Sequence, residues 1–345
     1  MKKNSTVLDV ANKAGVSPTT VSFVLNKVDR MRIPDQTRQR VLQAAEELNY
    51  HPNSSAQKMA RGKTNVIGLV IRQNPEKAYA DLFLPQVMQG INSVTRRAGY
   101  NILLIPLPPE EDGGEFSRLI RERHVDGLLI SGPTEDDLEL NNLFKEGAKI
   151  VLIGALKDSV IPMVDIDNRK AAYEAVTHLL DFNHKQIAFI SNAPFNYLSS
   201  QDRLAGYKEA LESRGILINE EFIFMADRTP ESGYLAMKSL LSQNKIPSAV
   251  FIASDTVALG ALHALHEANI KIPDDMAVIG FDDIPLSEFI NPPLSTVHLP
   301  AYSLGQASAS LLIQQLTEQI PQREQIFLKT RLVIRSTSGK PVISQ

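Results

Sequence analysis

Charged, polar and aromatic side chains gather in this chain directly behind short apolar runs. After 66–71 come Arg72, Gln73, Asn74 and Pro75, then Tyr79, Asp81 and Phe83. After 187–190 come Ser191, Asn192, Phe195, Asn196 and Tyr197, followed by Asp202 and Arg203. Ser254 and Asp255 follow 249–252, and Asp282 and Asp283 follow 278–281. Aromatic faces beside an arginine and several carboxylates suit a polyhydroxylated ligand, which needs apolar surface to stack on and charged groups for paired hydrogen bonds. The candidate ligand-binding residues are therefore Phe83, Phe195, Tyr197, Arg203, Asp255 and Asp282. Plainer roles fit some of them. Asp255 can cap a helix beginning at Thr256, and Phe195 and Tyr197 can pack as the lid of a core. Arg203 can pair with Glu209, although a cation at a helix start is electrostatically poor. Asp283 reads as a solvated turn residue.

Nothing proposes a catalytic centre. The chain has no GxxxxGK[ST] or GxGxxG phosphate loop, no HExxH and no GxSxG. His263 and His266 stand three apart on an expected helix, but no third ligand accompanies them, so no metal is expected. The absence of cysteine excludes disulfides and thiolate metal sites. No cofactor is implied.

The apolar runs that carry these residues alternate with helical periodicity from Thr64 onward. Runs at 66–71, 102–107, 127–130 and 150–153 read as buried parallel strands. A second series lies at 187–190, 222–225, 249–252 and 278–281, with helices near 170–180, 203–213, 231–241 and 257–268. Two open, doubly wound parallel sheets in tandem account for this pattern, and ligands of such sheets bind beyond the carboxyl ends of the strands. A helix at 302–317 and a strand near 327–334 finish the chain.

The first 63 residues differ from the rest. They hold 11 Lys and Arg against 5 Asp and Glu, whereas the remainder holds 25 against 34. A basic head on an acidic body suits a small nucleic-acid-binding module carried by a larger domain. Within the head, Thr6 and Asp9 form a capping-box start, and Val7, Val10 and Ala11 line one face of a first helix. Gly15 suits a left-handed turn, Ser17 an N-cap and Pro18 the first position of a second helix. Val21, Val24 and Leu25 make that helix's buried stripe, leaving Thr19, Thr20, Ser22, Phe23 and Asn26 on its other faces. This is the pattern of a helix-turn-helix, and an ordinary αα-hairpin fits the same periodicity. A third helix over 35–48 turns Val41, Leu42, Ala45 and Leu48 inward. After Pro52, residues 54–61 allow two helical turns, marginal in isolation.

With 345 residues and 43% hydrophobic content, two or three globular domains are expected. No 18-residue apolar run marks a membrane span, and MKKNSTVLDV lacks the apolar stretch of a secretory signal, so a cytoplasmic protein is expected.

Taken in order, TVLDVANKAGVSPTTVSFVLN, TRQRVLQAAEELNYHPNSSAQKMARG, VIGLVI, VDGLLI, VDIDN, DRLAGYKEAL, SDTVALGAL, IPDDMAVIGFDD and PPLSTVHLP resemble the lactose-repressor (LacI/GalR) family of bacterial transcription regulators. The resemblance runs along nearly the whole chain. It implies an α/β protein with an all-α helix-turn-helix head at 1–52 and a hinge helix and linker at 53–63. An effector-binding and dimerisation core at 64–345 follows, of the periplasmic-binding-protein-like type I architecture. The expected subdomains are 64–165 with 297–325, and 166–296 with 326–345. It further implies a homodimer that reads a pseudo-palindromic double-stranded operator and answers to a small-molecule effector, here a carbohydrate. The implied DNA contacts are Thr6, Ser17, Pro18, Thr19, Thr20, Ser22, Phe23 and Asn26, then Asn53, Ala56 and Met59 in the hinge. Met59 stands where the family places a wedge residue, usually Leu, between central base pairs. Pro18 and Phe23 depart from the family, since neither can hydrogen-bond a base, though Phe23 can pack on a thymine methyl. The expected function is a repressor of carbohydrate uptake or catabolism genes and not an enzyme. A cytoplasmic sugar-binding protein or sugar-modifying enzyme with a fused helical head is the alternative, and an activator a third reading.

Overall fold

In the helical head, Thr6 accepts a hydrogen bond from the Asp9 amide at 3.3 Å while the Asp9 carboxylate accepts from the Thr6 amide at 2.8 Å. This reciprocal cap starts helix α1, Val7–Ala14. The computed structural model of the protein describes residues 5–25, 33–50, 63–111, 114–317 and 324–339. Gly15 ends α1 in the left-handed region, at φ 65°, which a side chain would disfavour. The Ser17 hydroxyl accepts from the Thr20 amide at 3.1 Å and so caps α2, Pro18–Leu25. With α3, Asp35–Glu47, these helices enclose a small core of Val10, Ala11, Ala14, Val21, Val24, Val41, Ala44 and Ala45. Leu42, expected inside, is 48% exposed, because the inward stripe of α3 runs through Val41, Ala44 and Ala45.

Residues 66–345 form a second, separate unit. Its strands are β1 Val66–Ile71, β2 Asn101–Pro106, β3 Gly127–Ser131, β4 Ile150–Ile153, β5 Met163–Ile166, β6 Ile187–Ile190, β7 Ile223–Phe224, β8 Ala249–Ile252, β9 Ala277–Ile279, β10 Thr296–His298, β11 Gln325–Leu328 and β12 Arg331–Val333. The first sheet has the order β11-β5-β4-β3-β1-β2 and the second β7-β6-β8-β9. Every pairing within both is parallel. This is the expected pair of doubly wound sheets, with the central strands buried on both faces. Leu69 and Ile71 of β1 join one apolar cluster and Val70 another.

Helices α4 Pro75–Ala80, α5 Leu84–Thr95, α6 Glu115–Arg121, α7 Glu139–Lys145, α8 Asn168–Asp181, α9 Leu198–Ser213, α10 Pro230–Leu241, α11 Asp255–Glu267 and α12 Ala301–Thr317 cover the sheets. Helix α5 packs on α12, α8 on α9 and α10 on α11. Among the described residues no helix is long and apolar enough to cross a membrane.

The carboxyl end of the chain departs from the sequence reading. The single strand expected near 327–334 is two. β11 runs parallel to β5 at the edge of the first sheet, and β12 pairs antiparallel with β10. Residues 326–328 thus lie in the first sheet, where the reading had assigned them to the second subdomain. β5 was not read as a strand, and only Ile223–Phe224 of 222–225 is paired. Phe222 sits instead in a short 3₁₀ turn capped by Asn219.

Candidate functional site

The head presents two kinds of side chain on α2. Ser17 and Thr20 are tied to the helix start, their hydroxyls 2.9 Å apart. Pro18 and Thr19 are exposed, and Ser22 and Phe23 are half-buried. Thr6 is held in its capping box at the start of α1. The leading turn therefore offers Thr19, exposed and with no side-chain hydrogen bond among the described residues, and Phe23, one turn on, as an apolar side chain. That is a surface for a base edge and a methyl group. Asn26, Asn53, Ala56 and Met59, with the expected hinge helix, lie outside the described residues.

In the α/β unit, the strand ends converge on a cleft that encloses about 910 Å³, its open mouth included. Phe83, Arg203 and Asp282 line it. Arg203 was expected at a helix start, but α9 begins at Leu198, so the arginine sits in the second turn, clear of the positive helix terminus. It is 5% exposed and fully engaged on one edge. Nε donates to the Asn168 side-chain oxygen at 2.9 Å and Nη1 to the Ala253 carbonyl at 2.6 Å. Its guanidinium lies over the Phe281 ring, 3.7 Å from the centroid. Asp282 Oδ1 is 3.6 Å from Nη1, and its Oδ2 accepts from the Ser254 hydroxyl at 3.0 Å. Asp282 holds a left-handed φ of 114°, and its amide donates to Val297. Burial pushes its carboxyl up to about 8 against the pull of Arg203.

Three expected residues are not on the cleft wall. Asp255 is wholly buried, and its carboxylate accepts from the Ile284 amide at 3.1 Å and from the Ser287 and Thr296 hydroxyls, each at 2.7 Å. It ties the start of α11 to the loop after β9 and to the start of β10. Phe195 packs half-buried against the main core. Tyr197 is buried, donates its hydroxyl to the Arg72 carbonyl at 2.7 Å and carries Arg228 on its ring at 3.8 Å. Asp283, read as solvated, is instead held by Arg335 at 2.7 Å and His298 at 2.9 Å.

The cleft also takes in residues that the sequence reading passed over. Asp165, the penultimate residue of β5, accepts from the Ile166 amide at 2.7 Å and is pushed up to about 6 by burial. Burial likewise raises Asp81, which accepts from the Phe83 amide at 2.8 Å. Gln73, Asn192 and Arg228 complete the polar wall. Asp81 and Gln73 stood in the stretch after β1, so that strand end marked them. Asp165 was hidden because its four-residue strand was missed.

The two sheets meet beside this cleft. Thr134 and Tyr197 form an antiparallel bridge, the Glu135 amide donates to the Asn196 carbonyl at 3.2 Å, and Lys77 pairs with Asp227. The inner end of this contact is fixed by a wholly buried pair, Arg72 with Asp137 at 2.8 Å.

A helix-turn-helix head, joined in one chain to a two-sheet core with a polar cleft at its strand ends, is the arrangement of a DNA-binding transcription regulator. The sequence matches the bacterial regulatory proteins of the lacI family over residues 6–53 and the periplasmic binding protein-like domain over 176–338. It is 31% identical to the HTH-type transcriptional repressor PurR of Vibrio campbellii, over 97% of this chain and 99% of that one. Two solved structures are similar over 97% of this chain. The transcriptional regulator CelR in its cellobiose complex, 31% identical and matched over 100% of its length, has a TM-score of 0.74. The lac repressor dimer bound to operator and the anti-inducer ONPF, 28% identical and matched over 99%, has a TM-score of 0.82. The chain belongs to the lacI family of bacterial regulatory proteins, which are regulators and not enzymes.

Proposed function

We propose that the protein is a cytoplasmic, homodimeric repressor whose operator binding is set by a carbohydrate in the core cleft. The observation that carries this reading is the Arg203–Asp282 pair. The two side chains come from α9 and from the loop after β9, yet they stand 3.6 Å apart at the cleft wall. Arg203 keeps Nη2, for which no hydrogen bond is found among the described residues, and Asp282 keeps acceptor capacity beside it. A donor and an acceptor side by side suit vicinal hydroxyls, and Phe83 offers an apolar face for a sugar ring. The CelR structure, of the same architecture, is a complex with cellobiose.

In this reading residues 1–52 form the reading head, 53–63 the hinge and 64–345 the effector-binding and dimerisation core. Thr19 and Phe23 discriminate bases, with Thr6, Ser17, Pro18, Thr20, Ser22 and Asn26 around them and Asn53, Ala56 and Met59 at the operator centre. Two heads related by dyad symmetry read a pseudo-palindromic site. The same donor–acceptor pair, in a cleft that Phe83 also lines, suits the edge of a nucleobase as well, which is the second reading of the cleft.

A thermal-shift screen of sugars and nucleobases on the full chain, followed by calorimetry, tests the assignment. Arg203→Ala and Asp282→Ala should each lose about 2 kcal/mol of ligand affinity or more, because each strands a buried polar partner. Binding as tight as the parent's in both variants would place the site elsewhere.

A further inference from the structure

Asp282 owes its place on the cleft wall to an unusual turn. It and Asp283 are successive non-glycine residues with positive φ, at 114° and 56°. The first value lies outside the left-handed well of about +50° to +70° that a side chain can visit. Such a backbone persists only where its surroundings over-determine it. Part of the constraint comes from β10. The Asp282 amide donates to the Val297 carbonyl at 2.9 Å, and its carbonyl accepts from the Leu299 amide at 3.3 Å. His298 lies between those two partners and forms a parallel bridge with Asp282.

The remainder comes through the next side chain. Asp283 Oδ1 accepts from Arg335 Nη2 at 2.7 Å, and its Oδ2 lies 2.9 Å from His298 Nδ1. Arg335 is itself anchored, since Nη1 donates to the Leu294 carbonyl at 2.8 Å and its amide to the Ser295 hydroxyl at 2.9 Å. The two grips on Asp283 thus come from both strands of the β10–β12 pair, His298 ending β10 and Arg335 lying just beyond β12. The Asp283 and Arg335 side chains are 12% and 18% exposed, so solvent screens their attraction little.

Asp283, His298 and Arg335 do not line the cleft. Their reach into it is through the backbone. The direction of a side chain follows the φ and ψ of its own residue. Were the turn released to a negative φ, the Asp282 carboxylate would swing away from Arg203, now 3.6 Å off, and from the Ser254 hydroxyl at 3.0 Å.

Resting on the reading of Asp282 as an effector contact, we propose that Asp283 and Arg335 are positioning residues of the binding site. Their ion pair, steadied by His298, locks the turn and so aims the Asp282 carboxylate into the cleft without touching the effector.

Calorimetry on the full chain tests this, with glucose, galactose, cellobiose and adenine as probes and the tightest of them carried through. Arg335→Met should weaken that probe about five-fold or more, whereas Arg335→Lys, which keeps a cation for Asp283, should bind it within about two-fold of the parent. In an Asp282→Ala background, Arg335→Met should change affinity by less than about two-fold, because its effect passes through Asp282. A crystal structure of ligand-free Arg335→Met should show the Asp282 carboxylate displaced from Arg203 and Ser254. Asp283→Asn, whose side chain tolerates the same backbone, replaces Arg335→Met in each arm if that variant does not fold. A variant that melts earlier yet binds the probe as the parent does, with Asp282 unmoved, would reveal a purely structural pair and overturn the proposal. So would a loss that adds in full to that of Asp282→Ala. If no probe binds, or if Asp282→Ala binds as tightly as the parent, the effector reading is what fails. The crystal structure then decides alone, and an unmoved Asp282 overturns the positioning role as well.

Discussion

Asp255 and Asp282 both follow strands in sequence, and both looked like ligand contacts, yet the fold gives them different work. Asp255 spends its carboxylate on one amide and two hydroxyls inside the protein. Asp255→Ala leaves those three donors without an acceptor, so the core should lose about 3 kcal/mol or more in urea unfolding. An unchanged midpoint would show that water or a shifted side chain replaces it. Asp282 faces the cleft with its carboxyl raised to about 8 by burial. The unfolded chain releases that proton near 3.8, whereas the folded protein still holds it up to about 8. Within this window rising pH favours the unfolded state. The parent's melting temperature should therefore fall more steeply between about pH 5 and 7.5 than that of Asp282→Asn, which has no proton to lose. Equal slopes would contradict the raised value. At this scale the sequence displayed residue types at strand ends but not which of them the interior consumes. That depends on Ser287, Thr296 and Ile284, which arrive from distant parts of the chain.

Between elements, α5 and α12 illustrate what periodicity cannot show. Both were legible as helices, but their closeness was not. A Cβ on Gly305 would stand 2.1 Å from the Val87 carbonyl oxygen, and one on Gly90 2.0 Å from that of Tyr302. Alanine gains about 1 kcal/mol over glycine in a helix interior, whereas forcing two backbones apart costs about 1–3 kcal/mol or more. Gly305→Ala should therefore destabilise the protein, by roughly 1–2 kcal/mol net, in thermal unfolding monitored by circular dichroism. A raised melting temperature would show that propensity wins and that the helices part freely. The helical starts were the most legible feature, because the Thr6–Asp9 box and the Ser17 cap are local chemistry. β5 escaped, since Asp165 interrupts its four residues, the run at 222–225 overstated the two-residue β7, and β11 and β12 merged because Lys329 and Thr330 make a weak break.

Across the whole molecule, the charge asymmetry and the ordered alternation of strands and helices sufficed to place a head before a two-sheet core. The strand order did not follow from them. β11 returns from the end of the chain to the edge of the first sheet, and β10 pairs with β12, so three segments pass between the regions of the two sheets. Such crossings let a ligand held between the sheets bias their relative orientation, and a regulator needs an element that takes two arrangements. In the proposed function, occupancy of the cleft, read through Arg203, sets DNA binding by the head. The most direct measurement is fluorescence anisotropy of a duplex selected from a random pool by the full chain, titrated with and without the ligand found in the thermal screen. The parent's operator affinity should change ten-fold or more at fixed salt and that of Arg203→Ala little or not at all, with ligand-free affinities of the two proteins alike. A parent whose operator affinity ignores the bound ligand would contradict it.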